Sequence, residues 1–189
     1  MNLALLLLQV ATNAQLGYRF TLPSGFVAFP AGRSQPDVVD CWTEIAAPSS
    51  GGALILCIQR MHAMMGRERL KQADLPPQVR LIAMKWKGFE IDGVRTDTVQ
   101  AGFPVTAYAA QVPLKPEAIQ IIVGGPRDQG ARAEAVLTSV LGSLDGETNW
   151  LSSTQRGARM GTIVGWIAGI GIGVLAVRMV VARRRSRSV

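Results

Sequence analysis

Histidine is almost missing from this chain of 189 residues: His62 stands alone, beside only two cysteines, Cys41 and Cys57. Any histidine-based acid–base scheme, and any Ser-His-Asp or Cys-His arrangement, must therefore run through His62. No G-x-S-x-G motif supplies a nucleophile, no C-x-x-C supplies a redox pair, and no G-x-x-x-x-G-K-[ST] supplies a phosphate loop. Charge is sparse as well, at 17% of residues. The apolar share of 48% nevertheless excludes wholesale disorder, because it is enough to build a core. A chain this short suits one compact domain with accessories.

The net charge of +7 is a property of the tail. Of 20 Lys and Arg, five (Arg178, Arg183, Arg184, Arg185 and Arg187) fall in the last twelve positions, leaving 15 basic against 13 acidic residues in the first 160. Nucleic-acid binding is not expected, since phosphate neutralisation needs cations clustered on a folded surface.

What the chain does have is apolar sequence at both ends. Residues 161–177 read GTIVGWIAGIGIGVLAV, and the wider stretch 160–182 spans 23 residues, ~34 Å of helix against a hydrocarbon core of ~30 Å. Arg178 lies near the end of the run, where its stem can snorkel to the headgroups. The tail 183–189, RRRSRSV, is expected to stay in the cytoplasm and to meet anionic headgroups, which puts the preceding domain outside. Gly161, Gly165, Gly169 and Gly173 recur every four residues along one face. That spacing suits close packing with a second membrane helix, in self-association or with a partner. The opening MNLALLLLQVATNA resembles a signal peptide with cleavage after Ala14, although its n-region lacks Lys and Arg.

Between the ends, residues 15–144 are expected to form one extracytoplasmic domain, followed by a polar stalk over 145–159. Leu22–Pro23–Ser24–Gly25 marks a turn between two short strands. The runs 38–45 and 53–60 are rich in β-formers and read as an antiparallel hairpin. Residues 84–99 read as strand broken at Asp92–Gly93, and strands follow over 104–112 and 118–123 with a turn at Lys115–Pro116. Ala133, Val136, Leu137, Val140, Leu141 and Leu144 repeat at helical spacing and predict an amphipathic helix over 128–144. A weaker helix is expected over 67–73, before Pro76–Pro77. Gly124–Gly125–Pro126–Arg127 lies where phosphate loops occur, but Pro126 removes a donor and a turn leading to Asp128 is the better reading. The fold class is α+β, an antiparallel sheet with helices outside it.

The opening F-x-L-P-S-G-F, the strand pair, Trp86–Lys87–Gly88 and the final helix ending Val-Leu-Gly-Ser-Leu resemble PsbP-like domains over residues 16–144. The resemblance implies an α/β/α sandwich and a role in binding or assisting larger extracytoplasmic complexes. No metal-binding or active-site residue of that family matches here.

If Ala46 faces Gly52 in the hairpin, Cys41 faces Cys57 on the same sheet face, as a cross-strand disulfide requires. Such a bridge, closing 15 intervening residues, is worth ~3 kcal/mol on the loop-entropy estimate and is permitted in an exported domain. Met61, His62, Met64 and Met65 gather ligand types suited to Cu(I), though methionine commonly fills apolar gaps. Carboxylates can be paired by eye, Asp37 with Asp40 or Glu68 with Asp74, but no second feature supports a site there. The expected function is thus a single-pass, membrane-anchored, non-catalytic binding or assembly module without cofactor, contacting a membrane or envelope partner. The alternatives are an anchored hydrolase with a carboxylate site and a copper-binding protein using residues 61–65. A deep pocket with two converging acids would favour the hydrolase; an exposed apolar patch would favour the binding module.

Overall fold

The computed structural model describes residues 9–29, 37–45, 52–100 and 102–150. In chain order these form β1 (Val10–Asn13), β2 (Tyr18–Thr21), β3 (Phe26–Ala28), β4 (Val38–Glu44), β5 (Ile55–Arg60), β6 (Val79–Trp86), β7 (Phe89–Gln100), β8 (Phe103–Val112), β9 (Ile119–Pro126), α1 (Gly130–Ser143) and β10 (Asp145–Gly146). Seven strands make one antiparallel sheet in the order β3-β4-β5-β9-β8-β7-β6. A small second sheet has the order β1-β2-β10.

Alternation along the strands sets the two faces of the large sheet. In β9, Ile119, Ile121 and Val123 are fully buried, while Gln120, Ile122 and Gly124 are only partly so. The buried set lies under α1, whose Ala133, Leu137, Val140 and Leu141 form the stripe read from the sequence. Burying each large aliphatic side chain there contributes about 1.5–3 kcal/mol. Trp86 ties the helix end to the sheet by donating its indole N–H to the Leu144 carbonyl at 3.0 Å. The small sheet covers the rest of the same face. Phe20 meets Trp42 edge-on at 5.4 Å, and the Tyr18 hydroxyl donates to Asp40 of β4.

The hairpin of β4 and β5 has the expected register: Trp42 opposes Leu56 and Cys41 opposes Cys57. Glu44 N–H bonds the Leu54 carbonyl at 2.9 Å, so by alternation Cys41 and Cys57 form a non-hydrogen-bonded pair, the kind that brings backbones closest. Their Cα atoms are 4.2 Å apart and the disulfide is formed.

Four expectations are corrected. The strand break is not at Asp92–Gly93 but at Lys87–Gly88, a two-residue hairpin loop with both φ angles positive, as tight hairpin turns require. Gly93 sits mid-strand because Met84 and Ile82 cross over it; a Cβ there would lie 2.7 Å from Met84 Cγ and 2.9 Å from Ile82 Cγ1. The helix expected over 67–73 is absent, and only a short 3-10 turn, Gln72–Asp74, forms. The backbone is instead held by side chains: Asp92 accepts from Arg69 Nε at 2.5 Å and from the Leu70 amide at 2.9 Å. With α1 the one α-helix among the described residues, helices flank one face of the sheet rather than two. Finally, the stalk does not begin at Asp145. Asp145–Gly146 pairs with β2, and Trp150 is buried, donating its indole N–H to the Met65 carbonyl at 3.0 Å.

The expected leader meets the fold at β1. Val10–Asn13 pairs with β2, inside the segment that cleavage after Ala14 would remove. Among the described residues no helix is long and apolar enough to cross a membrane. The expected span 160–182, with Gly161, Gly165, Gly169 and Gly173, and the arginines of the tail lie outside the described residues, as do residues 1–8 and 151–159.

Candidate functional site, a groove on the open face of the sheet

The face of the large sheet turned away from α1 carries a groove of about 950 Å³. Its floor is made of short side chains from four adjacent strands: Cys41 of β4, Cys57 of β5, Gly124 of β9 and Ala107 of β8. Larger groups rise at its margins, Phe29 after β3 on one side and Phe103 at the start of β8 on the other. Ile55, Val105 and Ile122 complete an apolar lining. Phe103 is 72% exposed, Phe29 47% and Ile55 44%. These are large apolar side chains left in water on one surface, and contiguous patches of that kind mark interaction sites.

Neighbouring segments come close at both glycines, on the groove face at Gly124 and on the covered face at Gly125. A Cβ on Gly124 would lie 3.3 Å from the Ala107 Cβ, and one on Gly125 would lie 2.7 Å from Leu54 Cδ2. The Gly124–Gly125–Pro126 segment, read from the sequence as a turn, therefore finishes strand β9. Arg127 opens a 3-10 turn, Arg127–Gln129, and α1 starts at Gly130. Arg127 and Asp128 are the only charged groups among the described lining residues. The Arg127 guanidinium lies 3.4 Å from the Thr98 carbonyl, to which it donates.

Apart from Asp128, the acids of the described residues lie outside the groove lining. Asp40, on the covered face, accepts from Tyr18 and from Asn13 Nδ2 at 2.9 Å, whereas Asp37 faces His62, so the two do not converge. Burial pushes the Tyr18 hydroxyl well above its ordinary pKa, and the hydrogen bond to Asp40 adds to this. Asp97 is held below the usual carboxylate range by the Thr106 hydroxyl, and further by Arg95. Asp145 is lowered to about 2 by the Lys87 ammonium first and Arg19 second. Glu68 and Asp74 are both exposed.

The 61–65 cluster divides. His62 Nε2 lies 2.8 Å from Asp37 Oδ1, and Nδ1 lies 3.9 Å from Glu117 Oε2, so two carboxylates bracket the ring. Met65 packs against the core, Met64 is exposed, and the Met61 amide bonds the Ala118 carbonyl at 3.1 Å. Among the described residues no three His, Cys, Asp or Glu side chains are placed to hold a metal ion.

Sequence reasoning placed the two cysteines but missed the groove around them. The available signal was a strand pair apolar on both faces: Ile55 and Ile122 point away from the side occupied by Leu56, Ile121 and Val123. A sheet buried on one face only should alternate with polar residues there.

No family model matches the chain, and no curated protein matches it. Solved structures are similar. One is the solution structure of cyanobacterial PsbP (CyanoP) from Synechocystis sp. PCC 6803, at 13% identity over 74% of this chain and 92% of that one, with a TM-score of 0.46. A crystal structure of a protein from Bacteroides thetaiotaomicron VPI-5482 matches at 13% identity and a TM-score of 0.46, over 70% of this chain and 46% of that chain. This chain thus spans less than half the length of the Bacteroides protein. LpqN, involved in cell envelope biogenesis of Mycobacterium tuberculosis, matches at 12% identity and a TM-score of 0.41, over 67% of this chain and 81% of LpqN.

Proposed function

We propose that this chain is a non-catalytic binding or assembly module: a PsbP-like α+β domain held outside the cytoplasm by one membrane helix over residues 160–182. The groove on the open sheet face receives an apolar segment of a membrane or envelope protein. The single observation that carries this reading is the lining, which joins exposed Phe29, Ile55 and Phe103 over a floor of short side chains, with charge at one end only. Burying such a surface against a partner is favourable at roughly 25 cal/mol per Å². A carboxylate-based hydrolase needs two acids converging on one cavity, and the groove has Asp128 alone among its described lining residues.

The test is photocrosslinking in intact membranes from a probe placed at Phe103, compared with one at the exposed Glu68, which is not among the groove's lining residues. A partner protein captured from position 103 and lost with Ile55→Asp supports the reading. No adduct from position 103, together with substrate turnover by the purified chain, would replace it with the enzyme. Protease added to intact cells should cut the domain and spare the arginine tail.

A further inference from the structure

Residues 61–78, which join β5 to β6, include no buried residue. A surface segment of this kind opens at low cost unless side chains hold it to the fold. Its two ends are held. The Met61 amide bonds the Ala118 carbonyl at 3.1 Å, and the Ala118 amide bonds the Ala63 carbonyl at 2.9 Å. At the far end Arg69 and Leu70 are tied to Asp92, and the Gln72 side chain donates to the Val79 carbonyl at 2.8 Å and accepts from the Leu81 amide at 2.7 Å. Between those ends, residues 64–68 meet Trp150. Its indole N–H donates to the Met65 carbonyl at 3.0 Å. The Arg67 guanidinium lies 5.3 Å from the centre of the Trp150 ring and 5.7 Å from that of Phe89, within cation–π range of both. The two rings meet edge-on at 5.9 Å. Trp150 is 6% exposed, and residues 151–189 follow it directly in the chain.

We infer that residues 64–68 form a strap latched by Trp150: with the indole seated the strap is closed, and withdrawal of the indole opens it between its fixed ends. The latch shares no residue with the groove. One side chain makes both contacts, so withdrawal removes the hydrogen bond at Met65 and one of the two rings beside Arg67 together. A buried indole needs a partner for its N–H, and the Met65 carbonyl supplies it, which fixes where the ring sits. Once Trp150 leaves, Phe89 loses its edge-on neighbour and Arg67 keeps a single ring. The open state bares Phe89 and the emptied seat, an aromatic surface at the point where the chain leaves the domain. The coupling is reciprocal. The strap holds the indole as the indole holds the strap, so loosening either frees the other by the same factor.

The experiment is brief trypsin digestion of the full chain in detergent micelles, with initial rates at each site read by mass spectrometry. Cutting after Arg67 requires its guanidinium to leave the two rings, whereas cutting after the exposed Lys71, beyond the Asp92 anchor, does not. Cleavage tracks the open population when opening is fast. Losing one hydrogen bond and one cation–π contact, Trp150→Ala should therefore speed the Arg67 cut about ten- to a hundredfold and leave the Lys71 cut unchanged. Trp150→Phe, which keeps a ring without the N–H, should fall between wild type and Trp150→Ala. In the reverse direction, Arg67→Ala should raise hydroxyl-radical oxidation of Trp150 and leave that of the buried Trp42 as it was. Equal acceleration at Arg67 and Lys71 in Trp150→Phe, or no acceleration at Arg67 in either Trp150 variant, would overturn the latch. Unchanged oxidation of Trp150 in Arg67→Ala would do the same, and that variant leaves the indole hydrogen bond in place should Trp150→Ala fail to fold.

Discussion

Cleavage after Ala14 and the fold of this domain make opposite demands on residues 10–14. Removing residues 1–14 deletes β1, while removing only residues 1–8 keeps it. The register pairs Ala11 with Phe20 and Asn13 with Tyr18, and the Leu22 amide bonds the Gln9 carbonyl at 2.7 Å. Asn13 also donates to Asp40 at 2.9 Å and accepts from the Leu16 amide at 3.1 Å. The longer deletion therefore removes roughly five ladder bonds and two side-chain bonds, each worth about 0.5–1.5 kcal/mol net. Relief from ordering those residues, at about 1–2 kcal/mol each, offsets the ladder bonds. The expected loss is that of the two Asn13 side-chain bonds, about 1–3 kcal/mol together, against the ~5–15 kcal/mol typical of a domain. Urea unfolding of the two deletion forms in micelles, followed by tryptophan fluorescence, measures the difference. It is reported well because Trp42 and Trp86 are buried. Equal midpoints would show that β1 contributes nothing, and mass determination of the mature chain would show directly whether residues 10–14 are retained.

Other outcomes follow from single contacts. Gly93→Ala should cost about 1–3 kcal/mol by overpacking against Met84 and Ile82, and Met84→Ala in the same chain should relieve part of that; a turn at this position would give no relief. Because Tyr18 has a raised pKa in the folded state, its contribution is intact below its unfolded value of ~10 and declines as pH rises beyond it. Tyr18→Phe should flatten the alkaline limb of a stability–pH curve, and an unchanged slope would refute the cause. Asp145 works in the opposite sense. Lowered to about 2, it adds stability above its unfolded value of ~3.9, lost as pH falls toward 2, and Lys87→Met should weaken that acid limb. Reduction and alkylation of unfolded chain should add two carbamidomethyl groups, against none without reductant; the folded reduced chain should be destabilised by about 3 kcal/mol.

Local chemistry made much of this fold readable. The stripe from Ala133 to Leu144 announced α1 because helical period alone places those side chains on one face. The β4–β5 register followed from its turn, and with it the facing of Cys41 and Cys57. Asp92–Gly93 misled for a definite reason. Asp-Gly is a strong hairpin signal, yet here Gly93 is required by Met84 and Ile82, residues from the neighbouring strand. Arg69 could not be linked to Asp92 from spacing, nor Asn13 to Asp40, because those bonds join segments 23 and 27 residues apart.

The sequence by itself determined the helical stripe of α1 and the partner of each cysteine, since the first depends on neighbours along one helix and the second on the register of one local hairpin. Only the tertiary structure decided where the disulfide faces. Strand order brings β4, β5, β9 and β8 side by side, and their short outward side chains become a single groove floor. That adjacency arises from packing between distant segments, on which hydropathy along the chain is silent.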